Sequence, residues 1–429
     1  MDSSIARFIV HPAVILIVAL GVQAASDRER DVVFTNVRVF DGIRVLPPTT
    51  VAVSHGAIAS IGRTPATSDA VRVDGSGTTL LPGFIDAHVH VSGRREALQD
   101  AARFGVTAVV DLFERLPPRM QALRRTLATE AEYAEADYFS AGAGATVKGG
   151  HACCSEGQPT IAEPSEAEAF VRDRVAEGSE YIKIIIEHGF PGKPLPTLDP
   201  ATVRALIATA HRHGRLAIVH ATAPEDARVA IEGGADGLAH LWVSSRGRPG
   251  DDEQLIALIK AHHVFVIPTL TMLEALTSGA GSAALLADQK LAPFLTERAK
   301  ANLNPARAGS LTDPLGTAYE NVRRLHRAGV RILAGTDAPN AGVEYGISLH
   351  RELELLAAAG LPPIDVLRAA TSSIAVTLRL PGHGRIVAGA PADLVLVKGD
   401  PTRDILATRD IIGIWKNGRQ LDRQPPGRR

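Results

Sequence analysis

Cysteine is almost absent from this chain: there are two in 429 residues, adjacent as Cys153 and Cys154. Neighbours in sequence cannot staple distant segments, so a disulfide scaffold is excluded and stability must come from packing. Net charge is missing as well. The 46 lysines and arginines face 47 aspartates and glutamates, a balance of −1. That removes the electrostatic argument for a nucleic-acid binder or a polybasic membrane-surface protein and points to small molecules as partners. No low-complexity tract interrupts a composition that is 45% hydrophobic and 22% charged, so the chain is neither disordered nor fibrous. Its length suits two or three domains, or one large barrel with an appendage. Oligomeric state stays open, and a homo-oligomer is compatible with all of this.

Long apolar runs are lacking too, apart from one near the start. Met1 to Ser26 carries Arg7, an uncharged apolar stretch from Pro12 to Val22, and the small-residue pattern Val22-Gln23-Ala24 before the charged Asp27-Arg28-Glu29-Arg30. This is the layout of a secretory signal peptide over residues 1–24. The stretch is about ten residues against the ~20 that a bilayer-spanning helix needs, so no stable membrane insertion is expected after signal cleavage. No cysteine follows it for lipid attachment. The expectation is a periplasmic or secreted protein beginning near Ala25; an uncleaved cytoplasmic N-terminus is the other reading.

From Asp31 to Thr79 the text is rich in turns and short β-like runs: Val32 to Phe34, Val37 to Phe40, Val51 to Val53 and Ala57 to Ile61. After Pro82-Gly83 apolar strands alternate with helical stretches, the signature of a parallel sheet of βα units. The strand candidates are Gly83 to His90, Val106 to Leu112, Tyr138 to Gly142, Tyr181 to Ile186, Leu216 to His220, Gly237 to Leu241, Val264 to Pro268 and Val330 to Thr336. Helices are expected over Glu166 to Glu177, Pro200 to His213, Pro224 to Gly233 and Gly316 to Gly329, several closing on a glycine stop. The last fifty residues return to strands, Ala392 to Gly399 and Ile411 to Gly418. The predicted fold is α/β: a distorted (β/α)8 TIM barrel over residues 83–378, inserted in a small β-sandwich formed by both chain ends, residues 31–82 and 379–424.

His88 and His90 lie two apart at the end of the first barrel strand, and a strand period of two points both imidazoles to one side. Alone, that spacing equally fits a half-buried strand with satisfied histidines. Company sharpens it: His220 ends the fifth strand, His240 the sixth and Asp337 the eighth, all at the edge where barrel active sites sit. Histidines with a carboxylate are what zinc or a similar divalent ion takes. Lys183 interrupts the apolar strand Tyr181 to Ile186 in a chain with only eight lysines. A buried ammonium without a partner is costly, so this lysine is displaced in pKa or chemically converted, for example to an anionic carbamate by capture of CO2. The alternative is a lysine whose tip snorkels out at the strand end.

These motifs resemble the amidohydrolase superfamily, in its imidazolonepropionase-like and prolyl-dipeptidase-like branch. The likeness runs from Asn36-Val37-Arg38-Val39-Phe40-Asp41-Gly42 through Leu81-Pro82-Gly83-Phe84-Ile85-Asp86-Ala87-His88-Val89-His90 to Gly389-Ala390-Pro391-Ala392-Asp393-Leu394-Val395. The resemblance implies that His88 and His90 bind the more buried metal, that a carboxylated Lys183 bridges, and that His220 and His240 bind the second metal. It implies that Asp337 both ligates and shuttles protons as the catalytic acid and base. Imidazolonepropionase itself works with a single metal and lacks the lysine ligand; Lys183 favours two divalent ions here, expected to be zinc. A hydroxide held between two cations exists near neutral pH and attacks a carbonyl that one of them polarises. The expected reaction is hydrolysis of a C–N bond, amide or peptide-like, in a small substrate such as an N-acyl amino acid, a dipeptide or a cyclic amide. The alternatives are a lactonase or esterase on the same site, or a non-catalytic binding protein on the same scaffold.

Other residues carry weaker signals. His151, in the glycine-rich loop Lys148 to Cys154, is the first choice for substrate contact, with loop packing as the other reading. Cys153 and Cys154 read as packing residues or a vicinal disulfide. Glu187-His188-Gly189 at the barrel rim reads as pocket lining or a capped turn. Arg94 and Arg95 could hold a substrate carboxylate or be solvated. His211, His213 and His350 sit on helices and read as structural, and His262 and His263 lie at the wrong end of the barrel. The stretch Leu270 to Thr312, with Gly279-Ala280-Gly281-Ser282 as a flexible point, is a candidate lid.

Overall fold

The computed structural model describes residues 31–63, 69–129, 134–190, 192–243, 251–307, 309 and 314–425. The signal peptide expected at residues 1–24 lies outside them. The strands are β1 Val32–Phe40, β2 Val45–Ser54, β3 Ala57–Ile61, β4 Val71–Asp74, β5 Thr78–Pro82, β6 Phe84–Val89, β7 Val106–Asp111, β8 Asp137–Ser140 and β9 Tyr181–Ile186. They continue as β10 Gly189–Phe190, β11 Lys193–Pro194, β12 Leu216–Ala221, β13 Gly237–Ala239, β14 Phe265–Ile267, β15 Leu394–Lys398, β16 Ile411–Lys416 and β17 Arg419–Gln420.

Both chain ends share one mixed eight-stranded sheet, in the order β17-β16-β15-β5-β1-β2-β3 with β4 also on β1. The two runs expected at Val32 to Phe34 and Val37 to Phe40 are one strand. The break between them is a register shift against β2, with Asn36 at a φ of 54°. This irregularity bends the strand without ending it. The sheet's apolar face packs Phe34 against Trp415 edge-to-face at 4.8 Å, with Val37, Val39, Leu80, Leu394 and Leu396 around them.

The central residues form parallel sheets, β6-β7-β8 and β9-β12-β13-β14, separated by helices that cover them, as α/β patterning requires. Parity along the strands is clean: Tyr181, Leu216 and Ile218 join one buried cluster, while Ile182, Ile184, Ala217 and Val219 join the helix-covered one. Lys183 and His220 share the first parity and therefore one face. The helix starts follow local chemistry. Asp199 caps the helix Pro200–Arg212 by accepting from the N–H groups of Ala201 and Thr202, and Pro224 opens the helix Pro224–Glu232 with Glu225 and Asp226 in its first turn. The helices expected at 166–177 and 316–329 are found as Ala167–Ala176 and Pro314–Arg327.

The eighth expected strand, Val330 to Thr336, differs from the others. It forms only an isolated parallel bridge, Ile332 to Val266, with a second, Ala338 to Val89, beyond it. The cause is Asp86, whose buried carboxylate accepts from the Thr336 N–H at 3.0 Å and hydroxyl at 2.7 Å, so a side chain replaces part of the ladder. Gly335 runs so close to β6 and β14 that a Cβ there would lie 2.6 Å from Ile267 and 3.0 Å from the His88 backbone nitrogen. A third bridge, Ala145 to Ile184, joins the segment after β8 to β9.

The expected lid stretch is helical at Leu270–Thr277, Ala280–Ala287 and Glu297–Asn302. Gly281 lies so tightly on the Glu274 carboxylate that a Cβ would collide with it, so the glycine run is packed instead of flexible. No single helix among the described residues is long and apolar enough to cross a membrane.

Candidate metal centre

The carboxyl ends of the parallel strands bring the predicted residues together. His88, His90 and Asp337 each offer a ligand atom, and these atoms lie within 4.8 Å of one another. Asp337 Oδ1 stands 2.7 Å from His90 Nε2 and 3.5 Å from His88 Nε2. Neither His88 nitrogen has a hydrogen-bond partner, nor does Asp337 Oδ1. Buried His88 nitrogens without a partner, close to a carboxylate that also meets His90, are the arrangement left when a cation is the intended partner. Asp337 reaches this point from a left-handed backbone at φ 66°, and His240 likewise at φ 73°, a conformation costly for residues with a Cβ and concentrated at functional sites.

His240 packs on His88 with ring centroids 4.9 Å apart and on His220 at 4.5 Å. Its Nδ1 lies 4.0 Å from Asp337 Oδ2 and 2.9 Å from the Thr269 hydroxyl. Lys183 Nζ is buried with no hydrogen-bond partner, and burial pushes its pKa down to about 7 against the pull of Asp337. Burial is also the main cause that holds His88 and His240 far below the ordinary imidazole range, helped by Lys183 and the neighbouring rings. Burial takes His220 to about 4 despite the opposing carboxylate of Glu187. At His90 burial is outweighed by the Asp337 carboxylate, and the pKa rises. Neutral imidazoles are the form that binds metal, and the orphaned His88 and Lys183 atoms fit such a group.

His151 stacks on His220 at 4.8 Å, tilted by 32°, so the loop histidine stands at the edge of the cluster. Its loop is pinned where the Thr146 hydroxyl donates to the His151 carbonyl at 3.0 Å. Cys153 and Cys154 are joined as an adjacent disulfide beside it, and the Gly149 N–H points at both sulfurs.

Several weaker expectations resolve as structure. Arg95 pairs with Glu135, and Arg94 donates to the Tyr345 hydroxyl at 3.0 Å, which in turn donates to the His90 carbonyl at 2.6 Å. His211 and His213 pair at the surface with Asp236 and Glu168. His350 is buried with Nε2 on the Phe104 carbonyl at 2.9 Å and Nδ1 on the Thr408 hydroxyl at 3.2 Å.

Three supporting residues carried little or no signal in the sequence, Asp86, Thr269 and Tyr345, and a fourth, Glu187, read only as pocket lining or a capped turn. Asp86 accepts from the His88 N–H at 3.1 Å as well as from Thr336, tying the first strand's histidine to the eighth segment. Its position two before His88 was the one available hint. A second group of approaching donors, Asp137, His383 and Asp393, is already served by a cation, because Lys416 Nζ donates to Asp137 at 2.8 Å and to Asp393 at 2.9 Å.

Comparison with known proteins follows the same line. Residues 79–421 match the amidohydrolase family. An enamidase of Eubacterium barkeri is 28% identical over 183 residues, 40% of this chain and 43% of that protein. The chain spans 30% and 43% of the length of the first two curated relatives it matches. Among solved structures, an Xaa-Pro dipeptidase with bound methionine superposes with a TM-score of 0.70 at 21% identity, over 91% of this chain and 99% of that one. A molinate hydrolase superposes with a TM-score of 0.70 at 20% identity, over 92% and 95%. At these identities the two structures show the shared α/β fold with parallel sheets.

Proposed function

The chain belongs to the amidohydrolase family, and from that premise we propose that it is a metal-dependent hydrolase of a C–N bond, amide or peptide-like, in a small substrate. N-acyl amino acids, dipeptides and cyclic amides are the classes in view. The observation that carries the reading is the convergence of His88, His90 and Asp337, with both His88 nitrogens unpartnered, beside an orphaned, buried Lys183. The enamidase, dipeptidase and molinate hydrolase among the similar proteins support a hydrolase and span several small-molecule substrates.

In this reading His88, His90 and Asp337 would hold one divalent ion and His220 and His240 a second, with a carboxylated Lys183 able to serve both. Zinc suits this set of imidazoles and carboxylates. Capture of CO2 by the neutral Lys183 amine forms an N–C bond and releases a proton, converting an orphaned amine into an anionic two-oxygen ligand. When bound, such ions polarise a carbonyl and bring the acidity of water towards neutral pH. Asp337 Oδ2, which faces His240 and not the first-strand histidines, accepts the proton of the attacking water and returns it to the leaving nitrogen. His151, stacked at the mouth on His220, donates to the substrate carbonyl or carboxylate.

The same proposal includes a closed (β/α)8 barrel over residues 83–378 and a small β-sandwich from residues 31–82 and 379–424. The parallel bridges Ala145 to Ile184, Val266 to Ile332 and Val89 to Ala338 support closure, and the sheet shared by both chain ends supports the second part. Export to the periplasm or medium rests on the composition of residues 1–24 alone. The test is a panel of N-acyl amino acids, dipeptides, cyclic amides and lactones, run with metal-loaded protein and with Asp337→Asn. Turnover of an amide-type substrate that chelation abolishes and zinc restores is expected. Turnover of lactones alone, or none by a metal-loaded protein, overturns the C–N reading.

A further inference from the structure

Glu187 directly follows β9, the strand that carries Lys183. Its carboxylate is tethered on both oxygens. The Thr222 hydroxyl donates to Oε2 at 2.6 Å and the Gly189 N–H donates to Oε1 at 2.8 Å, while its own N–H donates to the Thr197 hydroxyl at 2.9 Å. The same Oε2 lies 3.4 Å from His220 Nε2, at the long end of the hydrogen-bonding range. Both side chains are buried, 5% and 9% exposed. Among the described residues no lysine or arginine forms an ion pair with Glu187.

A buried anion without a fixed cation is costly to keep. Here several tethers are spent on aiming it at one imidazole. His240 instead bonds the neutral Thr269 hydroxyl at 2.9 Å, with the Asp337 carboxylate 4.0 Å away, so the two histidines of the second subsite are not held alike.

We infer that Glu187 is the positioning residue of His220, taking its Nε2–H, fixing the ring's tautomer and orientation, and making the other ring nitrogen a stronger donor to a divalent cation. The inference rests on the metal-site reading above and adds a residue that belongs to none of the predicted ligands. Gly189, at φ 81°, opens the short β10–β11 hairpin and its N–H lies on the carboxylate.

The experiment is zinc and cobalt titration of metal-free wild type, Glu187→Gln, Thr222→Val and His220→Ala, with cobalt absorption spectra and the melting temperature of each metal-free protein. Glu187→Gln is expected to weaken one of the two ions about 10- to 100-fold and to alter the cobalt band, with metal-free melting close to wild type and occupancy restored by excess zinc. Thr222→Val, which removes one tether and keeps the anion, shifts affinity the same way by less. If Glu187→Gln binds both ions like wild type while His220→Ala loses one, the role assigned to Glu187 is wrong and the metal site stands. If Glu187→Gln instead lowers metal-free stability without changing affinity, its role is structural and the inference fails. Wild type that takes up no ion, or uptake indifferent to His220→Ala, overturns the metal-site reading itself. Should Glu187→Gln fail to fold, Thr222→Val decides, and wild-type affinity there contradicts the inference.

Discussion

Two buried lysines in this molecule have the same exposure, 2% each, and opposite surroundings. Lys416 donates to Asp137 and Asp393, Asp137 also meets His383 Nε2 at 2.8 Å, and the Asn417 N–H completes Asp393 at 2.8 Å. Every charge there has a partner, and despite burial Asp393 and Asp137 raise the lysine's pKa. Lys183 has no hydrogen-bond partner, stands among histidines, and is driven down to about 7 by burial. Both regions gather histidine, aspartate and lysine, so residue type and burial alone do not separate a structural cluster from a functional one. Satisfaction does: the first is complete within the chain and ties the C-terminal strands to the β8 edge, whereas the second is incomplete until something binds.

The sharpest way to break this comparison is at the proton carrier. Asp337→Asn is expected to lower kcat by about 10²- to 10⁴-fold on whichever substrate is found, measured by steady-state kinetics at saturating zinc; a change under tenfold would remove Asp337 from the proton path. On the paired side, Lys416→Met leaves the buried Asp393 without its cation, while the partly exposed Asp137 keeps His383, and should cost about 3 kcal/mol in denaturant unfolding. His350 supplies a satisfied histidine for contrast with His88. Burial holds it at about 4 against the pull of the Phe104 carbonyl, so between the unfolded value near 6.5 and about 4 the unfolded chain binds the proton and the folded one does not. Its contribution is complete above pH 6.5 and is lost as pH falls towards 4, by an amount of order 3 kcal/mol; His350→Gln should flatten that part of the stability profile. The smallest effect and the most pointed is Lys183→Met, which should stabilise the metal-free protein by about 1–3 kcal/mol, because it removes an unpaired buried amine. Destabilisation there, like that of Lys416→Met, would erase the distinction between the two lysines.

Much of this was legible in the sequence because the ligands are marked by strand ends. His220 closes Leu216 to His220, His240 follows Leu238-Ala239, and the odd lysine in Tyr181 to Ile186 shows by its strangeness in an apolar strand. The pairing of β12 with β9, Ile218 opposite Lys183, is what sets Lys183 and His220 on the same face, and no local window shows it. What stayed hidden is what depends on contacts far apart in the chain. Nothing near Glu187 announces that Thr222 and His220, over thirty residues on, will meet its carboxylate, and Thr269 is an ordinary residue until His240 lies beside it. The eighth segment reads as a strand by composition, yet at Thr336 the ladder is interrupted by Asp86, 250 residues away. Gly279 to Ser282 reads as a flexible linker only because the Glu274 carboxylate that packs on Gly281 cannot be seen in a local window.

The central claim is that the incomplete cluster is completed by metal. Elemental analysis of the purified protein beside Lys183→Ala, both expressed with bicarbonate, tests it most directly. The account predicts about two divalent ions per wild-type chain and a sharp fall in the variant. One ion unaffected by the substitution would contradict the role given to Lys183, and no bound ion in either protein would contradict the claim itself.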